Sequence, residues 1–520
     1  MNFRLLSRLL GLICLLIGGA MVFCLPWAHP ALGYRNHLEQ TPTNFEFRGF
    51  LALLASIAVS GLVGGVLMWL GRGGKKDVIH RKEAMAIVGL SWVAATILGA
   101  LPYRYANVHR DAQTRMTWAD CLFESQSGFS TTGATVISDL ESFALVPHCI
   151  LFWRSVTHFL GGLGIIVLFV VILGQGSAGK ALMRAEMPGP TKEGVTPRMQ
   201  DTAWQFAWMY CALNAALALI LWLMGLSAFD ALCHAFGTMA TGGFSTYNAS
   251  LGHFQSSQIE YLVILFMLMA GTNFTLLYCL LYFQPKILVK DREWRTYMGV
   301  IAIVTLLVVA VGWQTQSEGF TQKGDAFRNG LFQVVSIVTT TGYGTNDFDQ
   351  WGQLGRLSLL LLMFVGGCAG STGGGMKVIR HLLFFKILRL EIEHSYRPSV
   401  VRPLRLAGRP VDDPDLRKNI LVYFALIMIL SAASWLVLVA IEPSSTWGNG
   451  SSNQLIDSAS AVAATLNNIG PGLGVVGATQ NYGGFSDASK LLFVWLMMLG
   501  RLELFPILVL AAPRFWRSLS

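Results

Sequence analysis

The chain has 520 residues, 53% of them hydrophobic and 13% charged, and a formal net charge of +9. Soluble chains carry about 25% charge, so a set of water-soluble domains is excluded. A nucleic-acid binder is excluded too, because 27 of the 38 Lys and Arg sit in connections between apolar runs. The eight cysteines are scattered, with no CxxC pair and no His cluster, which removes zinc spacing and leaves them as small packing residues.

A helix needs roughly 20 apolar residues to cross a hydrocarbon core about 30 Å thick. In chain order, such spans fall near 5–26, 49–71, 84–102, 148–174, 203–226, 258–284, 296–313, 355–388, 419–441 and 488–512. The first follows Arg4 and Arg8 as a signal peptide would. It exceeds the usual apolar stretch of about 7–15 residues, lacks a small-x-small cleavage site, and reads as a retained helix. The basic residues cluster at the N-terminus, in 72–83, 177–202, 285–295 and 377–418, and at the C-terminus. These are alternate connections, so they mark the cytoplasmic side and place both termini there. The richest block, 377–418, also offers a docking surface.

Four segments of about 14 residues, 117–131, 228–241, 326–340 and 455–468, are too short to cross. Each lies between two spans on the non-cytoplasmic side, so each is expected to re-enter, lining a watery cavity. They resemble one another. Asp120, Asp230, Asn329 and Asp457 stand 13 residues before Gly133, Gly243, Gly342 and Gly470. The first and third also share F-x-x-x-S-x-x-x-T-T-G, from Phe123 and Phe332. The expected unit is a short helix capped by the Asp or Asn, its negative C-terminal end aimed at the bilayer middle. An extended return follows, with Gly supplying the unusual dihedrals. Four returns around one axis make a ring of carbonyl oxygens that can replace the water around a dehydrated cation. Ordinary glycine-containing membrane turns would explain neither the spacing nor the short helices.

Thr340-Thr341-Gly342-Tyr343-Gly344 resembles the T-V-G-Y-G filter of potassium channels. With Thr131-Thr132-Gly133, Thr241-Gly242-Gly243 and Asn468-Ile469-Gly470, the whole chain is similar to the Trk/Ktr/HKT superfamily. The two leading helices make it most similar to the TrkH/TrkG branch. The resemblance implies an all-α membrane fold with two leading helices (1–80) and four helix–re-entrant loop–helix repeats, 81–202, 203–295, 296–418 and 419–520, in pseudo-fourfold array. It implies potassium uptake at a bacterial inner membrane, with potassium as substrate at those filter residues and Gly133, Gly243, Gly342 and Gly470 as the filter glycines. It further implies a homodimer and a cytosolic nucleotide-binding regulator of the TrkA type. Nucleotide is then expected on the regulator, and no organic cofactor on this chain. Three of the four copies lack the full T-x-G-Y-G, which points to fewer ion sites than a fourfold channel has and leaves selectivity over sodium open.

Six glycines among residues 366–375 interrupt the second span of the third repeat, since each costs a helix roughly 1 kcal/mol. An unwound mid-membrane stretch is expected, and with the resemblance Gly370, Ser371, Thr372, Gly373 and Gly374 read as a gate. A close-packed helix interface is the plainer alternative, and a phosphate loop lacks its G-K-[ST] ending. Arg501, eleventh in the run Leu491–Leu510, is expected near the bilayer centre, where such a charge faces a cavity or a partner. The resemblance adds a barrier role below the filter; the alternative is structural pairing, with Glu503 free to meet a base on another helix. Asp139, Glu141, Asp347, Asp349 and Asp487 either concentrate cations at the outer mouth or are solvated loop charges. Arg154 and His158 read as interfacial packing residues. No HExxH, GxSxG or carboxylate–His cluster supports an enzyme, and four filter glycines argue against a non-transporting receptor. The open rivals are potassium symport coupled to sodium or protons and a less selective potassium/sodium channel.

Overall fold

The computed structural model describes residues 2–33, 35, 44–73, 81–173, 199–317, 319–320, 322–398, 404–406, 409–411, 414–447 and 454–516. The basic connection 177–202 lies largely outside them, as does part of 377–418. The described residues are all-α apart from a short antiparallel pair, Leu404–Leu406 with Arg409–Val411. Among the described residues, six helices are long and apolar enough to cross a membrane, or seven if one bent pair counts as a span.

The leading helices, Phe3–Val22 and Phe47–Leu70, pack antiparallel through small residues. A methyl group at Gly11 would meet the Gly64 carbonyl oxygen at 2.7 Å, and one at Gly71 would meet that of Arg4 at 2.7 Å. Glycine lets these backbones approach where lipid supplies no hydrophobic drive between helices.

Four short helices occupy the expected places: Trp118–Phe129, Ala228–Met239, Lys323–Val338 and Gln454–Leu466. Their caps differ from the expectation. Thr117 is the first N-cap, and Asp120 completes a capping box from three residues inside. Ser227 caps the second, with Asp230 in the same inner place. The Ser and Thr hydroxyls accept from that third N–H, while Asp120 accepts from the Thr117 N–H and Asp230 from the Ser227 hydroxyl, each with its second oxygen left for partners elsewhere. The third helix starts at Lys323, earlier than expected, so Asn329 lies inside it and donates to the Gly319 carbonyl at 2.8 Å.

The spans that follow these helices depart further. Only His148–Leu173 runs unbroken. The expected span 258–284 is two helices, Ser257–Ala270 and Phe274–Leu281, bent by 112°. The expected span 488–512 breaks after Arg501, where Leu504 takes a φ of 71° before helix Phe505–Leu510. The third is broken as expected, with helices Gln353–Leu362 and Val378–Tyr396 flanking a glycine-rich loop. Asn273 caps the restart of the second, its side chain accepting from the Thr275 N–H at 2.7 Å, and Pro506 begins the restart of the fourth. One capping residue or proline suffices to stop a helix even within an apolar run.

Candidate functional site

Past each short helix the backbone alternates in hand. Thr131, Thr241, Thr340 and Asn468 have φ between 53° and 60°. Two residues later Gly133, Gly243, Gly342 and Gly470 have φ of 82°, 75°, 81° and 97°. The residue between returns its N–H to its own helix: Thr132 to Ser127 O at 2.9 Å, Gly242 to Gly237 O at 2.8 Å, Thr341 to Ser336 O at 2.8 Å and Ile469 to Ala464 O at 2.9 Å. With these N–H groups turned outward, the carbonyls turn inward. The order around the axis follows from the glycines. A methyl group at Gly133 would strike the Gly242 carbonyl oxygen, one at Gly243 that of Thr341, one at Gly342 that of Ile469, and one at Gly470 that of Thr132 at 2.5 Å. Each repeat leans on the next, and the fourth closes on the first. A cavity of about 80 Å³ opens beyond all four glycines. Its lining joins the four glycines to Thr135, Ser245, Asn248 and Gln480, with Arg154, Tyr247 and Tyr482 at its wall.

The shared Phe and Ser of the first and third repeats now have tasks. Ser127 donates to the Ala134 carbonyl at 2.5 Å and Ser336 to that of Tyr343 at 2.7 Å, each fixing the strand beyond its glycine. Phe123 and Phe332 are fully buried behind them. The second repeat has Gly237 instead, because the Tyr343 side chain of the third repeat fills that space. Its hydroxyl donates to the His234 carbonyl at 3.2 Å.

That second strand is held from outside. Arg154 donates to the Ser245 carbonyl at 2.9 Å, stacks over the Phe244 ring at 3.4 Å and pairs with Glu124 at 2.5 Å. Glu124 also accepts from the Thr135 hydroxyl and the Val136 N–H at 3.0 Å. His158 faces the Gly128 carbonyl at 2.8 Å, and its other ring nitrogen accepts from the Phe244 N–H at 3.2 Å. Arg154 and His158 are therefore buried braces between the first and second returns, not interfacial packing residues. The fourth repeat is tied to the first by Lys490 and Asp120, both fully buried, at 2.5 Å.

At the cavity side the acidic residues stitch loops. Glu141 accepts from Asn248 N at 2.9 Å, Asp139 from the Asn248 amide at 3.2 Å, Asp349 from Gly474 N at 3.0 Å, and Asp487 from the Thr117 hydroxyl at 3.0 Å. Asp347 caps the turn at Asp349. The Asp349 carboxyl is pushed up to about 6 by burial, against the lowering effects of the Gly474 N–H and Arg356.

On the opposite side of the ring lies the glycine-rich loop, buried except at the half-buried Gly370. A methyl group at Gly374 would meet Asn468 Cβ at 2.6 Å, and one at Gly373 the Thr339 carbonyl at 3.1 Å. The Gly374 N–H donates to the Thr340 hydroxyl at 2.9 Å. The loop also rests on the bend in the second repeat, where Cys368 N donates to Gly271 O at 2.8 Å and Phe274 N to Gly370 O at 3.0 Å. Glu293 accepts from Ala369 N at 2.7 Å and Ile379 N at 3.1 Å, and the buried Lys377 ammonium donates to the Gly373 carbonyl. Arg501 reaches the same place, donating to Thr372 O and Gly161 O at 2.7 Å each. Glu503 pairs with Arg380 at 2.5 Å, a base on another helix. Ser371 closes a turn onto Cys368 O at 2.6 Å.

The four returns expected from sequence thus meet in one ring, and the glycine-rich loop and Arg501 lie together on one side of it. Glu124, Lys377 and Lys490 were not singled out, although a charge inside an apolar segment is itself a signal. Among the described residues no group of three or more His, Cys, Asp or Glu gathers to hold a metal; the ring is built of backbone.

A family model described as "TrkH: Cation transport protein" matches residues 51–518. "Trk system potassium uptake protein TrkH" of Salmonella typhimurium is 37% identical over 525 residues, covering all of both chains. "Trk system potassium uptake protein TrkG" of Escherichia coli is 34% identical over 443 residues, covering 85% of this chain and 86% of its own. The crystal structure of the potassium transporter TrkH from Vibrio parahaemolyticus superposes with a TM-score of 0.82 at 34% identity, over 99% of this chain and 100% of that one. With two leading helices, four returns closed into a ring and this likeness over its full length, the chain belongs to the TrkH family of membrane-spanning cation transport proteins.

Proposed function

We propose that this chain takes up potassium across the bacterial inner membrane, with both termini cytoplasmic. The ion passes through a filter formed by Thr131–Gly133, Thr241–Gly243, Thr340–Tyr343 and Asn468–Gly470. The observation that carries the reading is the closed ring, in which the carbonyl before each filter glycine meets the glycine of the repeat preceding it. Inward carbonyls substitute for hydration water, so a weakly hydrated cation sheds its shell at small cost. The names of the relatives, potassium uptake proteins, support potassium as the substrate.

Gly370–Gly374 and Arg501 act as the gate. The loop's contacts with Thr339, Thr340 and Asn468 of the third and fourth returns support this reading, and the Arg501 guanidinium beside it repels a cation leaving the filter. The protein works as a homodimer with one pore per protomer. A cytosolic nucleotide-binding subunit of the TrkA type sets the gate, docking on the basic connections, and this chain needs no organic cofactor. Growth at low potassium of a strain lacking its own uptake systems, repeated in sodium-rich medium, tests the reading. Failure to rescue by well-inserted protein overturns it.

A second reading, potassium symport with sodium or protons, is favoured by the three broken spans, since secondary transporters place broken helices at mid-membrane. Rubidium flux into liposomes with and without a sodium or pH gradient separates the two: flux that follows only the rubidium gradient removes symport.

A further inference from the structure

Arg35 lies in the outer connection between the two leading helices, yet only 1% of it is exposed. Its guanidinium reaches into the pore repeats. One terminal nitrogen donates to the Thr246 carbonyl at 2.7 Å and the other to the Leu140 carbonyl at 3.3 Å. It lies over the Tyr247 ring at 4.7 Å and 3.9 Å from the Asp230 carboxylate. Asp230 in turn accepts from the Thr246 hydroxyl at 2.6 Å and the Tyr247 hydroxyl at 2.9 Å. The strand leaving the second return, Phe244–Tyr247, is therefore gripped on consecutive carbonyls, Ser245 by Arg154 and Thr246 by Arg35.

Ser127 and Ser336 hold the strands of the first and third repeats from within. At the matching positions the second repeat has Gly237 and the fourth Ala464, neither with a hydroxyl, and in the second the two guanidinium groups grip the strand instead. We propose that Arg35 is a positioning residue for the second return, so that the leading helices contribute to ion discrimination through one side chain. A bidentate guanidinium fixes both distance and angle, and a site tolerates only about 0.5 Å of drift in its working groups. Without Arg35 the strand beyond Gly243 is held on one carbonyl fewer, and the second quadrant of the ring loosens while the other three stay set.

The inference rests on the filter reading above. Full-length Arg35→Gln and Arg35→Lys proteins are purified, their melting midpoints measured, and rubidium and sodium flux compared in liposomes per folded molecule. Arg35→Gln is expected to lower the rubidium-to-sodium ratio by about fivefold, the net effect of one ordinary hydrogen bond. Arg35→Lys, which reaches one carbonyl but not both, is expected to fall between. A wild-type ratio in folded Arg35→Gln overturns the proposal, whatever happens to its melting point. If that variant yields no folded protein, a wild-type ratio in Arg35→Lys does so. Gly342→Asp is run alongside: full, selective flux there fails the filter reading itself, a result distinct from either of these.

Discussion

The Asn468 side-chain amide donates to the Thr132 hydroxyl at 3.0 Å, stitching the fourth return to the first across 336 residues of sequence. Lys490 with Asp120 repeats the tie near the starts of two helices of the same pair of repeats. The ring is thus a closed circuit of unlike quadrants, and its properties can be tested one quadrant at a time.

Replacing Gly342 with Asp is expected to abolish uptake. The residue sits at a φ of 81°, which costs a residue with a side chain about 1–3 kcal/mol, and its Cβ would strike the Ile469 carbonyl oxygen. Rubidium uptake falls by more than about tenfold while membrane insertion and the elution position of the purified protein are kept. Uptake at the wild-type rate would remove Gly342 from the filter.

Deleting Ser371 to Gly374 is expected to raise passive rubidium flux several-fold. The deletion removes the segment lying against Thr339, Thr340 and Asn468. Wild-type flux in a folded protein, with an unchanged response to the cytosolic regulator, would mean that the loop packs helices and gates nothing.

Arg501→Ala is expected to keep the fold and raise flux, because two carbonyls, Thr372 and Gly161, lose a charged donor and the axis loses a positive charge. A lower melting point with no gain in flux per folded molecule would make Arg501 a clasp between the loop and the first repeat.

The Glu124–Arg154 pair yields a prediction about stability. Arg154→Met leaves a buried carboxylate with no cation and is expected to cost about 3–5 kcal/mol. Glu124→Gln with Arg154→Met is expected to recover most of that, since no buried charge remains. Thermal melting of the purified proteins measures both, and a double variant no better than the single would show that the cation's contacts to Ser245 and Phe244 matter more than its charge.

Asp349 gives a dependence on pH. Its folded value, about 6, lies above the 3.8 of an unperturbed carboxyl, burial being the main cause. The folded protein therefore holds this proton more tightly than the unfolded chain does. That contribution to stability is complete below pH 3.8 and is lost as pH rises through about 6. Asp349→Asn is accordingly expected to raise the melting point at pH 7.5, by an amount that shrinks as pH falls from 6 toward 4. An equal difference at both ends of that range would show that the carboxylate is not destabilised by its burial.

Much of this architecture was legible before any coordinates, because a repeated distance survives divergence. The interval from Asp120 to Gly133 recurs three times, and each glycine stands where the backbone must be left-handed. The caps are less legible, because Thr117 and Ser227 do an Asp's work at the helix start, and an Asp three residues on looks like the cap itself. The bends at Gly271–Asn273 and Leu504 were hidden in unbroken apolar runs, where hydropathy reports depth and not direction; Asn273 and Pro506 were the signals available. The braces were beyond reach for another reason. Arg154 meets Ser245 only because the first and second repeats share a wall, and Arg35 meets Thr246 only because the leading helices pack beside them. No local pattern encodes which carbonyl a distant guanidinium will find.

The closed circuit of unlike quadrants also bears on how such a pore can change over generations. In a pore of four identical chains, one codon alters every side at once, and a poorly fitting residue is felt four times. Here Tyr343 occurs in one quadrant, and the hollow at Gly237 that receives it occurs in its neighbour. Fused copies can trial a substitution on one side while the other three go on working, and a lock-and-hollow pair such as Tyr343 and Gly237 can arise at one seam without being repeated at the other three.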